Sequence, residues 1–507
     1  MTSAPFPPFA PIDLFIHKYN LRIWKKSTGF LAVVVTMSGC ISGLRTEAAL
    51  RAMLSRHADA FREEYNMTDD NPALRSAVRK ATIRLLPFLG LMLILNFLDR
   101  SNVGFAKTAY QADTGISDAA YALGAGILYL GYATFEVPSN LIMQRVGARL
   151  WLSRIMITWG IVSACMVFAH TPTSYYIVRF LLGVCEAGFY PGVLLYLTYW
   201  FPAKQRARAT GLFYLGVPLS LVIGAPLSGW LLTHHDVFGL ANWQWMFAVE
   251  GLAATVVGIL ALFFLTSRPG EAKWLTADEK SALNAVIEAE ERGKLSEVKH
   301  SVFSVLKDWR VLAFIGIYLF IQIGVGPITF YLPARLAQAL GGGVNTWVGV
   351  LLGLPWLCAL FATRFFTVYA DKHDNHRIVC IAMLTVGTLA LGTIGLTMNP
   401  WVMVIAACIA VPGLASSQPV FWSLPTRYLG GVGAASGIAF IVSLGNLGSF
   451  ASPQIKAYVD AATGNGDIGF YILAGCCFLS VVLLVALGSH RRWIVDAEPA
   501  AGVSRTH

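Results

Sequence analysis

The stretch LILNFLDRSNVGFA (Leu93–Ala106) sets an Asp-Arg pair, Asp99 and Arg100, inside one of the most apolar runs of the chain. About twelve such runs, each of roughly 18 residues or more, follow one another from about residue 84 to about residue 489. Each is long enough as a helix to cross a hydrocarbon core of roughly 30 Å. They lack strand alternation, and only helices or closed barrels satisfy their own backbone groups in lipid. The fold class is therefore an all-α polytopic membrane protein with twelve transmembrane helices. Two adjacent charges in the first of them then require partners.

Composition agrees. Of 507 residues, 56% are hydrophobic and 13% charged, against roughly 45–50% and 25% in an ordinary soluble domain. The net charge of +10 is distributed in alternate loops: Arg145, Arg149 and Arg154, then Lys204, Arg206 and Arg208, then Lys372 and Arg377, then Arg491 and Arg492. By the positive-inside rule this places both termini in the cytoplasm. No basic face remains for nucleic acid. The 8 cysteines lie mostly within apolar runs, without metal-ligand spacing, and read as small hydrophobes. The pairs His234/His235 and His373/His376 sit near loops without further ligands, so no metal site is expected. No nucleophile–base constellation and no cofactor motif points to an enzyme. GGVGAASG (Gly430–Gly437) opens an apolar helix and follows no strand, which argues against a phosphate cradle.

Five segments are expected along the chain: an N-terminal extension (1–83), a six-helix bundle (84–266), a cytoplasmic linker (267–309), a second six-helix bundle (310–489) and a cytoplasmic tail (490–507). In the extension, GFLAVVVTMSGCISGL (Gly29–Leu44) is apolar but short for a span, and its Cys40 has the setting of a lipoprotein cysteine. The basic lead-in from Met67 is the expected start of translation. In the linker, Thr276 is the expected N-cap of an amphipathic helix, with Glu279 completing a capping box. NLIMQRVGARLW (Asn140–Trp151) has a counterpart in VYADKHDNHRIV (Val368–Val379), and GAPLSGWLL (Gly224–Leu232) in GSFASPQIKAY (Gly448–Tyr458). Such matches suit duplicated, pseudo-symmetric bundles with a substrate between them near the bilayer midplane. Gly216, Gly224, Gly229, Gly445 and Gly448 are positions for close helix approach.

Besides Asp99 and Arg100, Glu136, Arg179 and Glu186 fall within spans. Unpaired, these five charges would cost on the order of 10 kcal/mol or more. They must face each other or a wet cavity. Arg179 and Glu186 are seven residues apart and share a helix face, as do Tyr132 and Glu136 four apart. Glu136, near a loop, reads as a packing salt bridge, whereas Asp99, Arg100 and Glu186 lie deeper and read as functional. A carboxylate substrate needs a cation in a low-dielectric cavity, and the planar fork of Arg100 suits it. Burial favours the neutral form of a carboxyl and a neighbouring arginine the charged form. Asp99 and Glu186, set between these effects, are placed to take up and release a proton, with Arg179 tuning Glu186. Asn446 and Tyr132 fit either substrate contact or helix packing. Gln322, Gln418 and Trp422 are further polar or aromatic candidates.

At NFLDRSNVGFA, FEVPSNLIMQRVGARLWLSR, RFLLGVCEAGFYPGVLLYLTYWFPAKQRARA and SLGNLGSFASP the chain resembles the major facilitator superfamily, and within it the anion:cation symporters of tartrate, phthalate, sugar acids, nicotinate and allantoate. The resemblance covers about residue 75 to the C-terminal region. It implies symport of an organic anion with protons, or less often sodium, by alternating access. It further implies proton coupling at Asp99 and Glu186 with Arg179, and substrate contact at Arg100, Tyr132 and Asn446. Two departures stand out. Gln144 replaces the usual aspartate of the superfamily's loop motif while Asp371 is retained, so gating is expected to rest on Arg145, Arg149 and Asp371. Val217 and Pro218 stand where sugar-acid carriers tend to be polar, which favours an aromatic or short dicarboxylic acid. The expected protein is thus a monomeric, proton-coupled organic-anion symporter of the bacterial inner membrane. A sodium-coupled symporter, a uniporter or exporter, and a transporter-like sensor are the alternatives. The linker is too short for a sensor's output domain.

Overall fold

The computed structural model describes residues 71–234, 239–295, 308–429 and 432–488. Gly29–Leu44 with Cys40, the start at Met67, His235, Gly430 and the tail with Arg491 and Arg492 lie outside the described residues.

Besides the linker helix and a short helix at Leu332–Ala339, twelve long helices run through the described chain: α1 (Pro72–Thr114), α2 (Asp118–Val146), α3 (Ala148–Phe168), α4 (Pro172–Trp200), α5 (Ala203–Thr233), α6 (Asn242–Phe264), α7 (Trp309–Phe330), α8 (Thr346–His373), α9 (His376–Leu396), α10 (Pro400–Tyr428), α11 (Val432–Gly445 and Leu447–Thr463) and α12 (Gly466–Ala486). All except α2 and α11 are long and apolar enough as they stand to cross a membrane. α1 begins at Pro72, where the side chain of Asn71 accepts from the amides of Ala73 and Leu74 at 2.9 and 3.2 Å. A capping asparagine followed by proline at the first helical position is a strong start signal. The basic lead-in thus forms the first turns of α1.

Four helices are interrupted in midspan, α4 at Ala187–Gly188, α5 at Leu215, α10 at Ser416 and α11 at Asn446. α4 and α10 occupy matching places in the two sets of six helices, as do α5 and α11. The duplication seen in the two loop sequences has a second structural mark. Arg149, at the start of α3, donates to the carbonyl of Leu262 at the end of α6 (2.6 Å), and Arg377, at the start of α9, donates to those of Leu484 and Val485 at the end of α12 (2.7 and 2.8 Å).

Close approach of helices falls at small residues. A side chain at Gly183 would meet the Leu128 carbonyl, and one at Gly131 that of Phe180, so α4 lies directly against α2. Gly160 and Gly251 do the same for α3 and α6. The five glycines singled out in the sequence each face another helix: Gly216 faces α1 at Gly90 and Leu93, Gly224 faces Leu98, Gly229 faces Asn345, Gly445 faces Tyr318 and Gly448 faces Leu319. α5 packs along α8 and α2 along α11, joining the two sets of six.

The linker helix, Ala277–Leu295, starts with the expected capping box: Glu279 accepts from the Thr276 amide (2.9 Å) and Thr276 from the Glu279 amide (3.3 Å). Glu279 also binds Lys80 and Ser76 of α1, and Glu290 binds Arg206 of α5 at 2.8 Å.

Candidate functional site

The polar centre lies on α1, where Asn96, Asp99 and Asn102 are buried to within 3% of full exclusion. Arg100 alone of this group keeps some exposure, 17% of its side chain. Its Nε binds Glu186 Oε1, and its guanidinium lies over the Tyr132 ring at 4.6 Å, with Phe97 and Tyr129 farther off at 5.7 and 5.9 Å. Asn96 also donates to Glu186 Oε1. Asp99 Oδ1 accepts from Ser163 of α3 and from Asn102 (3.0 Å). One turn of α1 thus presents a cation to one wall and a carboxyl to the other.

Glu186 owes its position to the interruption of α4. The first segment ends at Glu186, and Gly188 takes φ 85° before the helix restarts at Phe189. Only glycine adopts that conformation without strain, and a side chain there would meet Ser139. Pro191 lies in the first turn of the new segment, where a missing amide donor costs nothing. α4 therefore ends one segment on a buried carboxylate that faces Arg100.

Arg179 is wholly buried and donates to the Gly124 carbonyl of α2 at 3.3 Å. The heptad spacing of Arg179 and Glu186 places them on one face, yet Glu186 takes its ion pair from Arg100, and Arg179 is an electrostatic neighbour of Asp99. Glu136 is buried and accepts from Ser443 of α11 at 3.3 Å; its partner is a hydroxyl and not the salt bridge expected of it. Across the centre, Gln322 donates to Asn446 and Ser449 at 3.3 and 3.2 Å, and Gln418 donates to Gln322 at 3.2 Å. Trp422 packs on Tyr318 with ring centroids 5.0 Å apart. The charges of this centre come from the first six helices, and the last six add the Gln322–Asn446–Gln418 amides and the Tyr318–Trp422 ring pair.

The sequence model of the Major Facilitator Superfamily matches residues 89–453. The chain belongs to the major facilitator superfamily. A protein of Agrobacterium vitis described as "Putative tartrate transporter" is 42% identical over 442 residues, 87% of this chain and 97% of its own. The "Inner membrane transport protein RhmT" of Escherichia coli is 39% identical over 82% of this chain and 96% of its own. The inward-open xylose transporter XylE of E. coli superposes with a TM-score of 0.64 at 14% identity, covering 81% of this chain and 96% of that one. The chain is accordingly a multi-pass membrane transporter with the superfamily fold, and the superfamily's members are not enzymes.

The superfamily's loop positions lie at the linker end. Arg145 is exposed in the last turn of α2, and Arg149 is spent on the α6 carbonyl and on Ser267, its amide lying 3.3 Å from that hydroxyl. Asp371 binds His376 at 2.8 Å, and Asp374, in the left-handed region at φ 50°, binds Arg427. His373 and His234 each bond the carbonyl four residues back, at 2.9 and 3.0 Å. Val217 and Pro218 are buried and apolar, as read.

Sequence reasoning passed over Asn96, Asn102, Ser163 and Glu250. The first three are neutral, and nothing in composition separates them from packing residues. Glu250 is different: a lone carboxyl in the apolar run of α6, 4% exposed, it carries the same signal that singled out Asp99. Lys456 of α11, 4% exposed, carries it too, and is bonded to Asp460 and to the Gly466 carbonyl.

Proposed function

We propose that this transporter moves an organic anion, held by its carboxylate, together with protons across a bacterial inner membrane by alternating access of its first and last six helices. The observation that carries the reading is the Arg100–Glu186 pair. The arginine is oriented by Tyr132, partly open, and bonded to a carboxylate that a proton would neutralise. Protonation of Glu186 frees the guanidinium fork for a substrate carboxylate. Substrate and proton are thereby linked through one side chain.

In this scheme Arg100 and Tyr132 bind the anion from one side, and Asn446 and Trp422 from the other. Asp99 and Glu186 carry the protons, and Arg179 sets the field at Asp99. Arg145, Arg149 and Asp371 serve the gate at the linker end, which lies in the cytoplasm with both termini, and the protein works as a monomer. The likeness to a relative described as a tartrate transporter and the apolar pair Val217 and Pro218 support a short dicarboxylic or aromatic acid.

The test is the pH outside proteoliposomes holding the purified protein, scanned over sugar acids, tartrate-like diacids, aromatic acids and nicotinate. Alkalinisation with one class is the expected result and names that class. Uptake of any of them without alkalinisation overturns proton coupling.

A further inference from the structure

Glu250 takes no part in the scheme above, yet it is a buried carboxyl in the middle of α6. Its Oε1 accepts from Ser228 of α5 at 2.7 Å, and its Oε2 is buried without a hydrogen-bond partner. The close contact of Gly160 with Gly251 draws this turn of α6 onto α3, beside Ser163, which binds Asp99. Gly224, one turn before Ser228 on α5, packs on Leu98, the chain neighbour of Asp99 on α1. The amide of Asn102 donates to Asp99 Oδ1 at 3.0 Å. Asp99 Oδ2 is likewise buried without a hydrogen-bond partner, as are Asn102 Oδ1 beside it and Glu186 Oε2.

The groups facing Glu250 are Asp99 and Asn102 on α1 and Ser228 on α5, while α3 presents Ser163 and glycine. Its titratable neighbour is therefore another acid. Asp99 is in turn faced by Arg179 and Glu186 of α4. Two neighbouring carboxyls in a low-dielectric site do not both ionise at neutral pH, because each charge opposes the other. One proton, placed on either free oxygen, turns a surplus acceptor into a donor.

We propose that Glu250 and Asp99, set against each other where α3, α5 and α6 close on α1, form a coupled pair that holds one proton, so that Glu250 is a positioning residue for the Asp99 proton site. This rests on the reading of Asp99 as a proton carrier. The pair stores the proton, and Glu250 sets how readily Asp99 gives it up.

The test is infrared titration of the purified, substrate-free protein, following the carbonyl band of protonated carboxyls. The Asp99 contribution is the part lost in Asp99→Asn. In both Glu250→Gln and Glu250→Ala this band is expected to titrate about one pH unit away from the wild-type midpoint, in the direction that favours ionisation. A shift in Glu250→Ala alone would mean packing, and no shift in Glu250→Gln would mean that the two acids are uncoupled. Either result overturns the proposal. Failure of proton-coupled transport with the infrared shift intact would instead fall on the proposed function.

Discussion

Arg100 is bound by its Nε to Glu186 and lies over Tyr132. Arg100→Lys keeps the charge but loses both the Nε donor and the flat stacking surface, so uptake of the transported acid is expected to fall about tenfold or more. Asp99→Asn should abolish proton-coupled uptake yet leave counterflow exchange, whereas Arg100→Ala should abolish both. Radiolabel uptake and exchange in proteoliposomes separate the two. Equal loss of folded protein in both variants would mark the pair as structural. The charges at 99, 100 and 186 were legible because a charge in an apolar run must have a reason. Their pairing was not. Spacing along one helix tells which residues share a face, but the partner on a neighbouring helix depends on rotation and approach. Hence Arg179 and Glu186 share a face while Glu186 binds Arg100. Glu250 shows the same limit from the other side, since its signal was present and its neighbours belong to three other helices.

At the scale of an element, the interruption of α4 depends on a single left-handed glycine. Gly188→Ala is expected to destabilise the protein by about 1–2 kcal/mol, from the conformation alone, with further cost from contact with Ser139. The thermal midpoint of the detergent-purified protein reads this. The stretch RFLLGVCEAGFYPG was legible as a helix with Arg179 and Glu186 on one face, and the break at Gly188 that ends a segment on Glu186 was not. The linker helix gives a pH prediction. Hydrogen bonds from Lys80 and Ser76 hold the Glu279 carboxyl down at about 2, below its ordinary 4.5. The folded state thus favours the ionised form. Its stabilising effect is full above pH 4.5 and fades as pH falls from there towards 2. The protection of the linker-helix amides, taken relative to their intrinsic exchange rate at each pH, should fall over that window in the wild type. In Glu279→Gln it should be low already at neutral pH, with no step between pH 4.5 and 2.

For the whole molecule, the two sets of six helices meet where backbones touch without side chains between them. Gly349 faces the Ala225 carbonyl, Gly229 that of Asn345, and Gly104 that of Thr329. Gly349→Leu is therefore expected to hold that end apart. Nitroxide labels at Thr173 and Thr463 should show a population several ångströms longer than in the wild type. An unchanged distribution would place the contact outside the transport cycle. The number of helices and the duplication were legible from apolar length and two loop motifs. The arginine clasps at Arg149 and Arg377 confirm the duplication in a form no periodicity reveals, since each joins residues more than a hundred positions apart.

The linker helix meets the first six helices at three points. Glu279 binds Lys80 of α1, Glu290 binds Arg206 of α5, and Trp274, just before the helix, stacks on Trp200 of α4 at 5.2 Å. Three anchors on three helices fix a body in space. A fluorophore or a fused reporter on the outer face of this helix would consequently have its coordinates in the frame of the first half, and any change in its distance to a dye on α9 or α12 would read as displacement of one half against the other.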